Sequence, residues 1–260
     1  MSDAALVHEA PYRVRFDEAG PDGLLRTSGF LRYAQDVAWL HSTAHGFDRA
    51  WYLERGLTWL VRAAELEILA PIAMGTTIVA RTAVVGQKRV WARRRGDFFL
   101  PDGTLGGWVH TDWVMIDERG ALTRIPAVFG EVFEIPPMAE PMGRVTLPPP
   151  PSGAITRQFT VRPQELDPMD HVNNAVYVDW LEDALLQVEP ATVASLLGAT
   201  PRRYRLEYAA AASAGAAVAD QAWSDGDRWC YRLSGRGASE LGASEGEMFR
   251  ATVETTGGTE

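Results

Sequence analysis

The chain has 260 residues, of which 46% are hydrophobic and 23% are charged, proportions typical of a globular protein with one large or two small domains. Its net charge of −9 argues against nucleic acid or an anionic membrane surface as the main partner. The single cysteine, Cys230, excludes an intrachain disulfide. There is neither a leader pattern nor a stretch of membrane-spanning length, so we expect a cytoplasmic protein without membrane insertion.

A strand and a long helix open the chain. Alternating residues over 12–16 favour a half-buried strand, and a loop rich in glycine follows. Apolar residues at helical spacing over 30–40 predict the long helix. Its cap is expected at Thr27 or Ser28, and Gly46 stands where a C-terminal glycine is typical.

A shorter helix over 48–55 and a run of antiparallel strands complete this half of the chain. Turns are expected at Gly86-Gln87 and at Pro101-Asp102-Gly103, because these residue types favour tight reversals. The expected strands are 57–68, 76–85, 89–99 and 107–117. A strand, a helix packed on it and then antiparallel strands form an α+β layer arrangement.

A proline-rich segment divides the chain. We expect an N-terminal domain over 1–135, a linker over 136–153 and a C-terminal domain over 154–260, because proline runs favour extended, semi-rigid backbone. The first order of elements then recurs. Its members are a strand at 155–162, a loop at 163–171, helices at 174–188 and 190–197, and strands at 204–208, 218–223, 228–234 and 247–255. This duplication decides the architecture more securely than any single element.

The two halves align when the helix segment 33–36 is matched to 180–183, a shift of 147 residues. At four positions before the long helix, the first half then has an apolar, small or different polar residue where the second half has a carboxylate, an imidazole or an amide. The opposing pairs are Gly20 with Asp167, Leu24 with His171, Arg26 with Asn173 and Thr27 with Asn174. A single reaction centre is therefore expected in the second half.

The segment 166–177 joins a polar turn to an amphipathic helix. Asn173 or Asn174 is a natural N-cap, and amides of the first helical turn around 173–175 suit a developing negative charge. The same composition also occurs in ordinary turns that precede ordinary helices.

The order Asp167-x-x-x-His171-Val172-Asn173-Asn174-x-x-Tyr177 resembles the signature of hotdog-fold thioesterases. With the duplication and the linker, nearly the whole chain resembles the acyl-acyl carrier protein thioesterases, and the first half resembles them in the segments 25–36 and 56–61. The resemblance implies a tandem hotdog of α+β class, in which each half is a long helix wrapped by an antiparallel sheet. It also implies hydrolysis of fatty acyl thioesters by the second half, an acyl pocket shaped by the first half, and no metal or organic cofactor.

The resemblance also assigns roles to individual residues. The expected catalytic residues are Asp167 as base or nucleophile, His171 as the polarising or orienting group, and Asn173. The residues expected to contact substrate are Asn174 and Tyr177. The aromatic character of Trp59 and Trp39 suits the lining of an acyl pocket and equally suits the core, and we expect these two to contact substrate as well.

The chain departs from the plant-type pattern at two places. Met169 stands where that pattern has an asparagine, and Ala211-Ala212 stand where it has a Glu-Cys pair. Glu207 or Asp170 is a possible substitute, although a solvated or paired charge is the more ordinary interpretation of either residue. These departures weaken the plant-type mechanism more than they weaken thioester hydrolysis.

Two further signals are open to two interpretations. His41 and His45 have the spacing of helical metal ligands, but no third ligand is visible, so a structural role is favoured. Basic runs at 88–89, 93–95 and 202–203 suit an acidic carrier protein or a CoA phosphate, but solvated strand edges are the more ordinary interpretation.

The interpretation that these features favour is an acyl-acyl carrier protein thioesterase acting as a monomer or homodimer. An acyl-CoA thioesterase of the same fold and a non-catalytic acyl-binding hotdog protein are the alternatives. A hotdog dehydratase is disfavoured because its reaction needs a different acid/base pair.

Overall fold

A computed structural model describes residues 7–138, 140–235 and 246–256 of the chain. The chain divides into two compact units, Met1–Gly143 and Arg144–Glu260. In the described part of the chain, no helix combines the length and the apolar character that spanning a membrane requires.

The first unit places one long helix against a five-stranded antiparallel sheet. The strand order is β1-β3-β4-β5-β2, so the first strand of the chain lies at an edge. Its elements are β1 (Val7–Arg13), α1 (Thr27–Ala44), α2 (Arg49–Leu53), β2 (Leu57–Ile68), β3 (Thr77–Lys88), β4 (Trp91–Phe99), β5 (Leu105–Asp117) and α3 (Ala127–Phe133).

The second unit repeats this plan with the strand order β7-β10-β9-β8-β6. Its elements are β6 (Thr156–Thr160), α4 (Val176–Val188), α5 (Pro190–Gly198), β7 (Arg202–Tyr208), β8 (Ala217–Asp225), β9 (Arg228–Gly235) and β10 (Glu247–Thr255). A short 3-10 helix precedes the long helix in both units, at Phe16–Glu18 and Pro163–Glu165. The predicted α+β arrangement and its duplication are confirmed.

The long helix of the second unit is buried along the face that the sequence periodicity predicts. Tyr177, Leu181, Ala184 and Leu185 recur at three- and four-residue spacing and are all buried. Removing one such leucine side chain from water stabilises the fold by about 2 kcal/mol. This burial fixes the position at which the polar segment before α4 joins the core.

The turn predicted at Gly86-Gln87 is wrong. Strand β3 runs through Gly86 to Lys88, and the chain reverses at Arg89 and Val90, with Arg89 at φ +58°. Gly86 lies at a β-bulge, where an added Cβ would approach the Cβ of Met138 to 2.9 Å. The glycine therefore allows a close approach of another segment and does not mark a reversal.

Two more differences concern element boundaries. The first strand covers 7–13, whereas 12–16 was predicted, and residues 16–18 form the 3-10 helix. Helix α3 was not predicted, because its sequence carries neither a strong cap nor a long apolar period. It packs Phe129 and Phe133 into an aromatic core cluster of the first unit.

Buried carboxylates fix the segment that the sequence identifies as a linker. In the first unit, the fully buried Asp112 accepts hydrogen bonds from Arg93 Nε at 2.6 Å and from the Met142 N–H at 2.5 Å. In the second unit, Glu207 accepts one from the Val145 N–H at 2.8 Å. That the first half shapes an acyl pocket and the second half carries the chemistry stays a prediction.

Candidate active site

A tight turn brings Asp167 and His171 to opposite ends of one backbone hydrogen bond. The Asp167 N–H donates to the His171 carbonyl at 2.8 Å, and the Asp170 N–H donates to the Asp167 carbonyl at 3.0 Å. The Asp167 carboxylate accepts the Met169 N–H through Oδ1 at 2.9 Å. Asp170 takes the left-handed conformation at φ +61°, which this reversal requires. The local fold therefore holds the two predicted catalytic side chains on a short, rigid loop.

Backbone contacts on both sides anchor this turn. Leu166 and Val172 form an antiparallel bridge, and the Val172 N–H donates to the Ala212 carbonyl at 2.9 Å. The Asn173 N–H donates to the Glu165 carbonyl at 2.9 Å. The turn is thus attached to the segment that follows β7 and to the 3-10 helix that precedes it.

The Glu165 carboxylate forms hydrogen bonds next to the loop. It accepts the Arg162 N–H at 2.7 Å, the Arg162 guanidinium at 2.8 Å and the Trp180 indole N–H at 3.2 Å. Burial alone would raise the pKa of this carboxyl, but the hydrogen bonds from Arg162 and Trp180 outweigh burial and lower it. An ionised side chain is therefore held two residues before Asp167, in the 3-10 helix that precedes the loop.

Helix α4 begins at Val176, and its N-cap residue is Ala175, which forms no side-chain cap bond. The prediction that Asn173 or Asn174 is the N-cap is therefore wrong. Asn173 Oδ1 instead accepts the Ala175 N–H at 3.0 Å, two residues ahead, in an Asx-type turn. The asparagine thus orders the residues before the helix and does not cap its first turn.

The expected anion-binding amides are only partly available. The Asn173 N–H binds Glu165, the Ala175 N–H binds Asn173 Oδ1, and the Val176 N–H binds the Asn173 carbonyl at 2.9 Å. Of the amides from 173 to 176, only that of Asn174 has no acceptor within the described part of the chain. Within the described residues, one backbone N–H of this stretch, and not a group of three, is therefore left for a substrate oxygen.

Two buried phenols lie beside the loop. Tyr177 Oη accepts the Ala212 N–H at 3.1 Å, and Tyr208 Oη donates to the Asn174 carbonyl at 3.0 Å. Their rings meet edge to face at 5.5 Å. Burial, together with the negative charge of Asp167, raises the pKa of Tyr177 to about 12. Sequence reasoning named Tyr177 and missed Tyr208, which stands where the aligned first-half strand has Ile68.

The residues considered as substitutes for the missing family groups have other surroundings. Glu207 is 4% exposed and tethers the segment at Val145. Asp170 is exposed at the corner of the turn, as is Met169. Ala211 is exposed one residue before the Ala212 amide that meets Tyr177.

The first unit contains the same loop without its polar groups. The aligned backbone bonds agree to about 0.1 Å, which bears out the 147-residue shift. They are Gly20 N–H to Leu24 O at 2.8 Å, Gly23 N–H to Gly20 O at 2.9 Å, Arg26 N–H to Glu18 O at 3.0 Å and Leu25 N–H to Ile72 O at 2.8 Å. The opposing pairs expected from the sequence are therefore equivalent positions of two copies of one loop.

The two tryptophans predicted to contact substrate lie in the first unit. Trp59 is partly buried, donates to Tyr52 Oη at 3.0 Å and packs on Phe129 at a ring distance of 5.4 Å. Trp39 lies on α1 with 44% of its surface exposed. Their contacts with substrate stay predictions.

The histidine pair of α1 has a structural environment. His41 is fully buried and accepts a hydrogen bond from Arg94 at Nδ1, 2.9 Å away. Burial and the Arg94 charge lower the pKa of His41 to about 3, so the ring is neutral. His45 packs edge-on at 5.0 Å. Among the described residues, no three potential ligands come together as a metal site would require.

The basic run at 93–95 does not form one patch. Arg93 binds Asp112, Arg94 points into the core towards His41, and Arg95 binds Asp97. Alternate residues of a strand face opposite sides of the sheet, which separates Arg94 from Arg93 and Arg95. The charges of those two are each paired with an aspartate.

Comparisons with known proteins agree over both units. Residues 5–135 match the family profile described as the acyl-ACP thioesterase N-terminal domain, and residues 150–227 match the one described as its C-terminal domain. No curated protein sequence matches the chain significantly.

Solved structures share the fold of the whole chain. An acyl-ACP thioesterase from Bacteroides thetaiotaomicron is 17% identical with a TM-score of 0.78, and the alignment covers 98% of this chain and 99% of that one. A 12:0-ACP thioesterase from Umbellularia californica is 19% identical with a TM-score of 0.76, and coverage is 96% of both chains. At these identities the likeness establishes the architecture.

Proposed function

Because this chain belongs to the acyl-ACP thioesterase family and is therefore a tandem-hotdog enzyme that hydrolyses thioesters, we propose that it releases fatty acids from acyl carrier protein (ACP) at the loop 167–174. The observation that carries this assignment is the turn in which the Asp167 N–H donates to the His171 carbonyl, with the open Asn174 amide three residues beyond His171. A carboxylate, an imidazole and a backbone donor are the groups that acyl transfer to water needs.

Asp167 has one oxygen positioned by the protein and one available for chemistry. Oδ1 accepts the Met169 N–H, whereas the described residues supply no hydrogen bond to Oδ2. In the general-base route, Oδ2 takes a proton from water while the water oxygen attacks the thioester carbonyl carbon and the C=O electron pair moves to oxygen. Collapse re-forms the carbonyl and breaks the C–S bond. The carrier thiolate then takes the proton from Asp167, and the product acid loses its proton to solvent.

The same carboxylate can act as a nucleophile. It would displace the carrier thiolate to form a mixed anhydride, which water then hydrolyses. Turnover in water enriched in oxygen-18 tests this route, because attack of water on the Asp167 side of the anhydride introduces the label into that residue. Labelled Asp167, detected by mass spectrometry of the peptide, establishes the covalent route.

His171 and the backbone before helix α4 supply hydrogen-bond donors for the carbonyl oxygen of the thioester. The imidazole is half-buried at the end of the turn, where it can donate to the carbonyl or orient the water. Asn173 keeps the Ala175 amide occupied and so holds the peptide next to Asn174 in place. Asp167 and His171 thus act on the substrate, while Asn173 positions the donor next to it.

The test is thiol release from acyl-ACP and acyl-CoA thioesters of equal chain length. Wild type is compared with Asp167→Asn and with Asp170→Asn, a matched carboxylate in the same turn. We expect wild-type turnover of acyl-ACP, a loss of about a thousandfold in kcat for Asp167→Asn and a change within about twofold for Asp170→Asn. Loss of activity in both variants would contradict a specific role for Asp167.

The two alternatives give different results in the same assay. Faster turnover of acyl-CoA would establish the CoA thioesterase. Stoichiometric retention of acyl ligand without thiol release would establish an acyl-binding protein, the alternative that Met169 and Ala211 favour because both replace polar groups of the plant-type pattern.

A further inference from the structure

A comparison of equivalent positions in the two units identifies side chains that the shared fold does not require. Over β7 and the segment after it, the shift between the halves is 140 residues. Ala209 and Ala210 both donate to the Met248 carbonyl, at 2.8 and 3.1 Å, as Leu69 and Ala70 donate to the Gly106 carbonyl, at 2.9 and 3.0 Å. With both shifts established by backbone bonds, every side chain around the loop has a known counterpart.

This equivalence pairs two tyrosines of the second unit with apolar residues of the first. Tyr177 corresponds to Phe30, and Tyr208 corresponds to Ile68. All four side chains are buried, with 2%, 1%, 6% and 2% of their surfaces exposed, in that order. An apolar residue is therefore sufficient for packing at each position. Each tyrosine adds a buried hydroxyl, which costs free energy unless it forms a hydrogen bond.

Both hydroxyls make hydrogen bonds at the loop, Tyr208 with the loop itself and Tyr177 with Ala212, whose carbonyl binds the Val172 N–H. Tyr208 Oη binds the carbonyl of Asn174, and Asn173 Oδ1 binds the N–H of the same peptide group. The peptide group on the other side of Asn174 is fixed by the bond from the Val176 N–H to the Asn173 carbonyl. The peptide that carries the open Asn174 N–H is thus held by the Val176 N–H. The next peptide, Asn174–Ala175, is held by Asn173 and by Tyr208.

The Tyr177 hydroxyl is left with a proton to donate. Its oxygen accepts the Ala212 N–H, and the described residues place no acceptor on its own proton. The negative charge of Asp167 contributes to the raised pKa of this phenol, so the two side chains are close enough to interact electrostatically. A pKa raised to about 12 keeps the O–H protonated at every pH at which the enzyme would work.

From this arrangement we infer that the Tyr177 hydroxyl and the Asn174 N–H form the oxyanion-binding pair for the thioester carbonyl, and that Tyr208 is a positioning residue that fixes the adjoining Asn174–Ala175 peptide. The inference rests on the proposed function. During attack on the carbonyl carbon, the C=O oxygen gains negative charge, and two fixed donors in a buried site stabilise it strongly. No proton leaves Tyr177, because hydrogen bonding alone accounts for this role.

The test compares Tyr177→Phe and Tyr208→Phe with Tyr204→Phe. Tyr204 lies on the same strand as Tyr208, is fully buried and donates to Glu182 at 2.6 Å, so its variant loses an equivalent hydroxyl away from the loop. We expect kcat to fall about a hundredfold or more for Tyr177→Phe with little change in KM, and less for Tyr208→Phe. Tyr204→Phe retains kcat within about twofold.

A binding measurement separates donation to the carbonyl from a purely structural role. The probes are two unreactive analogues of the preferred carrier thioester, a ketone in which CH2 replaces sulfur and a thioether in which CH2 replaces the carbonyl. Wild type binds the ketone about tenfold more tightly than the thioether, and Tyr177→Phe loses that preference. The carbonyl stretch of bound, carbon-13-labelled ketone lies at lower frequency in wild type than in Tyr177→Phe.

Failure of this inference is distinguishable from failure of the proposed function. If Asp167→Asn abolishes thiol release while Tyr177→Phe keeps wild-type kcat and carbonyl frequency, the oxyanion assignment is overturned and hydrolysis at Asp167 stands. The oxyanion assignment is also overturned if Tyr177→Phe loses kcat with an unchanged carbonyl frequency. If wild type releases no thiol but the ketone preference is present, the donor pair stands and hydrolysis fails.

Discussion

The loop at 20–26 and the loop at 167–173 have one backbone conformation and two sets of side chains. Both rest on a glutamate that accepts a hydrogen bond from the long helix, from Tyr33 to Glu18 at 2.5 Å and from Trp180 to Glu165 at 3.2 Å. Both reverse through a residue in the left-handed region, Gly23 at φ +74° and Asp170 at φ +61°. The loop conformation is thus maintained without Asp167 or His171, so those side chains are free to serve chemistry.

Of the three comparisons between the loops that follow, the largest effect is expected when His171 is replaced by its first-half counterpart. His171→Leu copies Leu24, which the same backbone accommodates, so the fold should be retained. We expect kcat for thioester hydrolysis to fall about a hundredfold, because a donor to the carbonyl or water is lost.

His171→Gln, which keeps an N–H donor, should recover part of this loss. Leu24→His should leave turnover unchanged, since its loop has Gly20 where the second has Asp167. A fully active His171→Leu enzyme would show that the difference between the loops at this position is not catalytic.

An intermediate effect is expected from the two supporting glutamates. Glu165→Gln and Glu18→Gln each lose charge-assisted bonds to a backbone N–H, from Arg162 at 2.7 Å and from Arg15 at 2.8 Å. Each should lower the free energy of unfolding by about 1–3 kcal/mol, measured by urea denaturation. Only Glu165→Gln should also lower kcat, because only its loop carries the reactive side chains.

The stability effect at Glu165 should depend on pH. The folded protein lowers the pKa of Glu165, so its stabilisation is complete above the unfolded value of about 4.5 and is lost as pH falls from there through the folded pKa. The difference in urea midpoint between wild type and Glu165→Gln should therefore be full at neutral pH and shrink in acid. A difference independent of pH would contradict an ionised support.

The smallest effect is expected at the corner of the turn. Asp170 occupies a left-handed conformation that glycine adopts without steric strain, as Gly23 does in the first loop. Asp170→Gly should raise the free energy of unfolding by less than about 1 kcal/mol and leave kcat unchanged. Gly23→Ala is the matched opposite change and should destabilise by about 1 kcal/mol or more. Equal signs for the two variants would contradict equivalence of the corners.

Most of the helices and strands and the pairing of the two loops were predictable, because they depend on local sequence patterns. Helical spacing located α1 and α4, alternation located most strands, and the 147-residue shift paired Asp167 with Gly20 and His171 with Leu24 from the residues alone. The shift was recoverable because both copies keep the same helix face and the same turn length. Helix α3 and the bulge at Gly86 have no such local signal.

The sequence by itself determined the order of elements, the duplication, the family resemblance and the positions of the polar groups in the second loop. Only the tertiary structure decided which of those groups are free to act. Of the amides expected to bind the oxyanion, those of Asn173 and Ala175 are occupied. The hydroxyl of Tyr208, well separated from the loop in sequence, binds the Asn174 carbonyl. Whether a donor is free depends on acceptors brought from other segments, and that information arises only when the chain folds.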